Sequence, residues 1–243
     1  MTKRISQALL ILLFVSSCKK ENRTDCFKST GKETTENRVL ERFTKINMDD
    51  GINVFITEST QPLVTVTGGS NLLDNVITEV KDGTLIIKNL NKCNWVRSFK
   101  KDINVYINID SLDEIHHAGS GNIDMLNTLK SSRFFINMFE SSGNVNLNLQ
   151  GNYIELKIHT GPAKITATGN ADELIIYNNS PGTIDAQNFT CKKALAINRN
   201  TGRLYVNVSN ALKAEIFGSG NIYYFGNPTI DLTVYGDGEL IHY

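Results

Sequence analysis

The sequence is poor in the features that most often announce a function. Neither sign of charge is in excess: 25 Lys and Arg stand against 25 Asp and Glu in 243 residues. The basic residues are scattered and form no stripe or basic helix, which argues against nucleic acid as a partner. Long apolar runs are missing after residue 18, so no later segment is expected to cross a bilayer as a helix. Cysteine is scarce, with 4 residues, at positions 18, 26, 93 and 191. No Ser-His-Asp order and no reactive-cysteine motif occurs, so the chain reads as a non-enzyme, with no catalytic residue and no cofactor to assign.

What the sequence does have is a repeat. Gly119-Ser120-Gly121-Asn122-Ile123-Asp124 returns in worn form to the end of the sequence. Its core of small, polar and aliphatic residues recurs as Gly143-Asn144-Val145, Ala163-Lys164-Ile165, Gly182-Thr183-Ile184, Gly202-Arg203-Leu204, Gly220-Asn221-Ile222 and Gly238-Glu239-Leu240. The spacings are 22, 20, 19, 20, 18 and 18. After each small residue the chain alternates apolar and polar, as in Val145-Asn146-Leu147-Asn148-Leu149, the period of a half-buried strand. A second such run precedes it, as in Ile154-Glu155-Leu156-Lys157-Ile158. Each repeat therefore reads as strand, glycine corner, strand and polar corner, and no repeat can bury its apolar face alone. The fold class expected is all-β: a right-handed parallel β-helix, or β-solenoid, with coils of about 20 residues. Ile123, Val145, Ile165, Ile184, Leu204, Ile222 and Leu240 should form one aliphatic stack inside it.

The amino terminus is of a different kind. Lys3 and Arg4 precede an apolar run, Ala8 to Val15, that is too short to span a membrane. Val15-Ser16-Ser17-Cys18 resembles the bacterial lipoprotein signal, or lipobox. That resemblance implies removal of residues 1–17, acylation of Cys18 and attachment to a membrane through the acyl group. Lys19, where an Asp would retain the protein at the inner membrane, points to the outer membrane, on its periplasmic face or at the cell surface. Residues 18–38, rich in Lys, Glu, Asn, Thr and Ser, read as a polar tether. Residues 39–110 carry irregular strand-like runs, including Phe43–Met48, Ile52–Ile56, Leu63–Val66, Val76–Val80, Leu85–Ile87 and Ile103–Ile107, and residues 111–243 carry the regular coils. Asp50-Gly51, Gly68-Gly69 and Asp82-Gly83 mark turns between the early runs. Asp82-Gly83-Thr84-Leu85 also copies the corner pattern of the later coils, so the early part reads as an irregular start of the same solenoid.

Asp50-Gly51-Ile52-Asn53-Val54, then Glu79-Val80-Lys81-Asp82-Gly83-Thr84-Leu85, then the Gly-Ser-Gly-Asn-Ile coils resemble the putative auto-transporter adhesin head GIN domain family. That family is a domain of unknown function common in lipoproteins and secreted proteins of Bacteroidetes, and the resemblance spans roughly residues 39 to 243. It implies an all-β solenoid at the cell envelope. It offers no catalytic residues to carry over.

Several residues invite sharper readings. An exported protein meets an oxidising compartment, and a Cys26–Cys93 disulfide is favoured over free thiols because both lie in polar, loop-like sequence while Cys191 sits inside the repeat. Closing that loop would contribute on the order of 4 kcal/mol by chain entropy. His116 and His117 are adjacent on a strand and face opposite sides, and His159 and His242 sit further along the stack, so no metal site is assigned. A calcium β-roll needs Asp at a fixed place in consecutive nonapeptides, and here the repeat is twice as long. Asn122, Asn144 and Asn221 with Tyr153, Tyr177, Tyr205 and Tyr223 offer a glycan-binding face, against the plainer expectation that corner asparagines satisfy backbone groups and tyrosines suit strands. Trp95 is expected to cover one end of the core. Asp124 and Asp185 lie three coils apart, and Lys164 and Arg203 two coils apart with Thr183 between, which suits neither a glycoside hydrolase nor a lyase. The last coil presents an open edge, which either Tyr235, His242 and Tyr243 shield or another chain pairs.

Three functions follow in order of preference. The first is a non-catalytic, envelope-anchored binding or adhesion module for a glycan or protein. The second is a carbohydrate-active enzyme on a β-helix scaffold, and the third a carrier of a hydrophobic ligand, which needs a cavity.

Overall fold

In the computed structural model, which describes residues 29–92 and 102–243, apolar alternation becomes strand pairing almost throughout. The early strands are β1 (Glu33–Arg38), β2 (Lys45–Met48), β3 (Asn53–Glu58), β4 (Leu63–Gly69), β5 (Val76–Lys81), β6 (Thr84–Asn89), β7 (Asn104–Ile109), β8 (Glu114–Gly119) and β9 (Ile123–Met125). Then come the long strands β10 (Leu129–Ser141), β11 (Asn144–Ile158), β12 (Lys164–Asn178), β13 (Thr183–Asn198) and β14 (Arg203–Ile216), and finally β15 (Ile222–Phe225), β16 (Thr229–Val234) and β17 (Leu240–His242). They build a β-solenoid of about six turns with roughly 20-residue spacing. Among the described residues no helix is long and apolar enough to cross a membrane. Cys18, Cys26, Cys93 and Trp95 lie outside the described residues.

The aliphatic stack forms as the repeat predicts. Ile123, Val145, Ile165, Ile184, Leu204, Ile222 and Leu240 pair in unbroken register from coil to coil. The first six have no exposed surface and Leu240 is half-buried. A second inner row runs from Ile46 through Ile115, Ile136, Leu156, Ile176, Ala196 and Ala214 to Leu232. Full burial of a Val, Leu or Ile in these rows contributes about 1.5–3 kcal/mol, and within the stack each is covered by its neighbours above and below, whereas Leu232 and Leu240 in the last coil have a neighbour on one side only. The expected break at a polar corner does not occur. β11 to β14 run through that bend as single strands of 14 to 16 residues, because pairing continues across it: Asn148 with Thr168, Leu149 with Gly169, Gln150 with Asn170.

Chain order and spatial order part company in the early strands. β2 pairs in parallel with β6 on one side and β8 on the other, and β3 likewise lies between β7 and β9. The β2–β3 coil is thus inserted between coils formed about 40 to 70 residues later in the chain. Val54 joins the aliphatic stack against Ile123, and Val105 lies beyond it. The corner position equivalent to Gly121 is then Ile52, which is why a search on the glycine passes over this coil. Gly121 itself has no room for a side chain: a Cβ there would lie 1.9 Å from the Ile52 carbonyl oxygen.

Two further expectations are corrected here. Asp82-Gly83, which copies a coil corner, is the turn of an antiparallel β5–β6 hairpin. Both residues have positive φ, 49° and 71°, the requirement of a tight type I′ turn. Residues 33–38, read as the end of the tether, form β1. Its side chains are polar, but its backbone pairs antiparallel with β4 from Glu33 opposite Gly69 to Arg38 opposite Val64, so ladder hydrogen bonds fix a segment that offers little apolar surface.

The two ends of the stack differ. At the amino-terminal end, β4 runs antiparallel to β7, β1 antiparallel to β4 and β5 antiparallel to β6, leaving outermost β1, which carries Glu33, Glu36 and Arg38, and β5, whose Val76, Ile77 and Val80 are buried or half-buried. At the other end, Ile230, Leu232 and Val234 of β16 continue the inner rows of Leu212, Ala214 and Ile216. They are 44%, 45% and 46% exposed, where the residues beneath them are at most 1% exposed. The three aromatic residues expected to shield this end stack instead on the coil before: Tyr235 on Phe217 at 4.7 Å, His242 on Tyr224 at 4.7 Å and Tyr243 against Phe225 at 5.4 Å.

Candidate functional site

Counting from each corner fixes what every coil presents to solvent. The residue directly after the corner and the one two further on face outward, so stacking the coils turns those positions into surface rows. The first row reads Asn122, Asn144, Lys164, Thr183, Arg203, Asn221, Glu239, and the second Asp124, Asn146, Thr166, Asp185, Tyr205, Tyr223, Ile241. Asn122 and Asn221 in the first row have a structural role. Asn122 Oδ1 accepts from the Asn144 backbone N–H at 2.9 Å, Asn221 Oδ1 from Glu239 N–H at 3.0 Å, and Asn53 Oδ1 from Asn122 N–H at 3.2 Å. The amide oxygens of Asn53, Asn122 and Asn221 each satisfy a corner donor of the next coil, so these oxygens are committed to the fold.

Where the first row changes to Lys164, Thr183 and Arg203, the second changes to Asp185, Tyr205 and Tyr223, and the two rows open into a groove of about 470 Å3. Gln187 and Tyr243 complete its lining. Tyr205 and Tyr223 stack with centroids 4.8 Å apart and planes 12° apart, and Tyr243 meets Tyr223 edge-on at 6.3 Å and 83°. The coil spacing of about 4.8 Å matches face-to-face aromatic contact, so identical offsets from two corners suffice to make the stack. The step from Tyr205 down to the smaller Asp185 leaves the far side of the Tyr205 ring facing the groove. Lys164 Nζ lies 3.9 Å from Asp185 Oδ2, and the Gln187 backbone N–H donates to Asp185 Oδ1 at 3.4 Å. Arg203, exposed, stands two layers from Lys164 across Thr183. The groove therefore offers an aromatic platform, two cations, one carboxylate and an amide.

The tyrosines singled out by sequence are divided between surfaces. Tyr205 and Tyr223 share the groove, whereas Tyr153 and Tyr177 lie in other rows. Tyr153 donates to Glu155 at 2.6 Å, which pushes its phenol up to about 12, and Glu155 is itself bonded by Lys157. Tyr177 sits beside His159 at 5.5 Å, at the end of a column in which His159 and His116 flank Phe139 at 4.1 and 4.9 Å. His117 faces inward from the same strand, and His242 stacks on Tyr224 in the last coil, so the histidines do not converge. Asp124 and Asp185 occupy the same row three coils apart. Cys191 is a free, buried thiol whose pKa burial pushes up to about 12.

A feature missed at the sequence level lies inside the corners. His117, Asn178 and Asn198 occupy one inner row among Met138, Ile158 and Ile216, and all three are fully buried. Each donates to the carbonyl oxygen of the glycine four residues on: His117 Nε2 to Gly121, Asn178 Nδ2 to Gly182 and Asn198 Nδ2 to Gly202, all at 2.8 Å. Ser141 Oγ donates to His117 Nδ1 at 2.6 Å, and Ser180 Oγ to Asn178 Oδ1 at 2.8 Å. The shared spacing from polar residue to corner glycine is the signal that could have found them. Gln187 and Tyr243 had no such signal, since neither sits at a repeated offset.

Comparison with known proteins agrees with this architecture. The family model described as "putative auto-transporter adhesin, head GIN domain" matches residues 42–228. Among solved structures, a putative adhesin from Bacteroides fragilis is similar at 25% identity and a TM-score of 0.81, covering 87% of this chain and 97% of its own. A protein described as a putative lipid binding protein from Parabacteroides distasonis shares the fold at 23% identity and a TM-score of 0.72, covering 88% and 98%. A putative adhesin from Parabacteroides merdae does so at 22% identity and 0.64, with 88% and 98% covered. No curated protein matches the chain.

Proposed function

Because the chain belongs to the putative auto-transporter adhesin, head GIN domain family, we propose that it is a non-catalytic adhesion module of the cell envelope. An acyl group on Cys18 holds it to the outer membrane, and the polar residues that follow carry the solenoid clear of the lipid. Its contact site is the groove of Tyr205, Tyr223 and Tyr243, and the ligand class is glycan.

The observation that carries this reading is the stacked pair Tyr205–Tyr223 inside a groove that also holds Lys164, Arg203, Asp185 and Gln187. A pyranose ring lies its C–H face on an aromatic ring while its hydroxyls take hydrogen bonds from charged and amide groups at the rim. Such a site binds without turning over, since Asp185 has no second carboxylate within the roughly 5–9.5 Å that glycoside hydrolysis uses in its own row until Asp124, three coils away. A carrier of a hydrophobic ligand would need an enclosed apolar cavity; the inner rows are filled by contacting aliphatic side chains, and the pocket of about 380 Å3 at Val39, Leu40, Phe43, Leu63, Val64 and Ile109 lies at the surface, with Val39 fully exposed and Arg38, Glu41, Arg42 and Asp110 also lining it.

The test is a glycan array probed with the full chain carrying Cys18→Ala, so that no acyl chain contributes. Saturable binding that Tyr205→Ala and Arg203→Ala each reduce at least tenfold is the expected result. Binding indifferent to both variants moves the site elsewhere. Turnover of any polysaccharide that Asp185→Asn abolishes would make the protein an enzyme. Mass spectrometry of the wild-type protein checks the anchor: the mature amino-terminal peptide should begin at a lipid-modified Cys18.

A further inference from the structure

In the coil that contains β16 the core is left partly open. Ile230, Leu232 and Val234, each nearly half exposed, stand in rows that are fully buried one coil earlier, and β16 pairs only with β14 among the described strands. A row of apolar side chains beside unpaired backbone donors and acceptors is a template for another strand. We propose that this end is a dimerisation surface, on which a second copy of the chain docks by pairing β16 with β16 across a two-fold axis.

The order of residues in β16 argues for a second copy. In an antiparallel pair centred on Leu232, Leu232 meets its own counterpart, Ile230 meets Val234 and Val234 meets Ile230. No other centre maps the three apolar residues onto themselves. The same register sets Asp231 opposite Thr233, so the one charged residue of the strand avoids its like, and like charges directly opposed are unfavourable. Centring on Asp231 would place the two carboxylates face to face. Head-to-tail stacking is disfavoured by the other end of the solenoid, where the edge strand β1 presents Glu33, Glu36 and Arg38 and the edge strand β5 keeps Val76, Ile77 and Val80 buried or half-buried, so neither offers an exposed apolar row. An isologous, closed pair therefore follows, and a filament does not.

Sedimentation equilibrium of the full chain carrying Cys18→Ala tests the idea. The expected result is a reversible monomer–dimer equilibrium. Leu232→Asp should leave monomer only, because two carboxylates would meet on the axis. Thr233 supplies a second check that does not depend on the core. Thr233→Lys sets an ammonium against the other copy's Asp231 at both ends of the pair and should tighten the dimer by about fivefold, whereas Thr233→Asp should weaken it by a similar factor. A chain that stays monomeric at every concentration means that something other than a second copy covers this end, and overturns the proposal. So does a dimer that ignores all three variants, which would form through another surface. A dimer broken by Leu232→Asp but equally stable with Thr233→Lys and Thr233→Asp overturns the antiparallel register.

Discussion

His117 does with an imidazole what Asn178 and Asn198 do with an amide, and the substitution brings a pH dependence the amides lack. Burial lowers its pKa from the ordinary 6.5, because a charged ring is poorly solvated inside the coil, and this outweighs the Gly121 hydrogen bond, which acts in the opposite direction. The unfolded chain thus binds a proton that the folded chain resists. Stability is complete above about pH 6.5 and is lost as pH falls from there toward the folded pKa. His159, half-buried and also lowered, adds a smaller part of the same sign. Thermal unfolding followed from pH 8 to pH 5 should show a flat upper limb and a decline below 6.5. His117→Asn, which copies the amide found at the equivalent positions, should flatten most of that decline while keeping the Gly121 bond; an unchanged slope would assign the pH dependence elsewhere. His117→Leu should instead cost about 1–3 kcal/mol above pH 6.5, by leaving a buried carbonyl and hydroxyl unpaired, a deficit that narrows at lower pH as the wild type loses its own His117 contribution. Cys191, with its thiol pushed up to about 12, should stay unmodified by a thiol reagent at pH 8 until the chain is unfolded, as peptide mass mapping would show.

A single coil has no core of its own, so damage to one member of a row is shared by its neighbours. Ile184 lies between Ile165 and Leu204 with no exposed surface. Ile184→Asp buries an unpaired charge against two coils at once, which costs several kcal/mol, and circular dichroism should show loss of the cooperative melt. The row containing Ile184 is legible in the sequence, because the small–polar–aliphatic corner keeps its offset even where Ala163 replaces glycine. The groove is legible only in pieces. Tyr205 and Tyr223 stand out as tyrosines, and Lys164, Arg203 and Asp185 as residues too far apart for catalysis, yet all five sit at two fixed offsets from consecutive corners, and laying the coils over one another brings them together. The β2–β3 coil is legible as strands but not as a coil of the stack. Ile52 fills the place a glycine holds elsewhere, and nothing local in a sequence says that a strand pair is to be inserted between two that come after it.

Over the whole molecule, a solenoid behaves as a nearly one-dimensional array in which stability depends on how many neighbours a coil has. Amide exchange in the monomer should therefore be slowest in β11, β12 and β13, each paired along both edges, and fastest in β16 and β17, with β16 slowing as the protein dimerises. The amino-terminal end departs from this gradient because of the inserted coil. A cell held to a surface through this protein would load the chain from the side of Cys18, so tension would reach β1 first. β1 is held by β4 alone and unzips, releasing on the order of 20 Å of chain. The pull then arrives at β2, which is gripped between β6 and β8, and at β3, gripped between β7 and β9. An array threaded in sequence order would peel away coil by coil under a low force. Here the second strand in line sits in the interior of the sheet, and extracting it shears two ladders at once while the coils beyond remain intact. Pulling single molecules from the amino-terminal side should record a small early extension followed by one high-force rupture, so that the thread of the chain acts as a mechanical latch placed next to the proposed anchor.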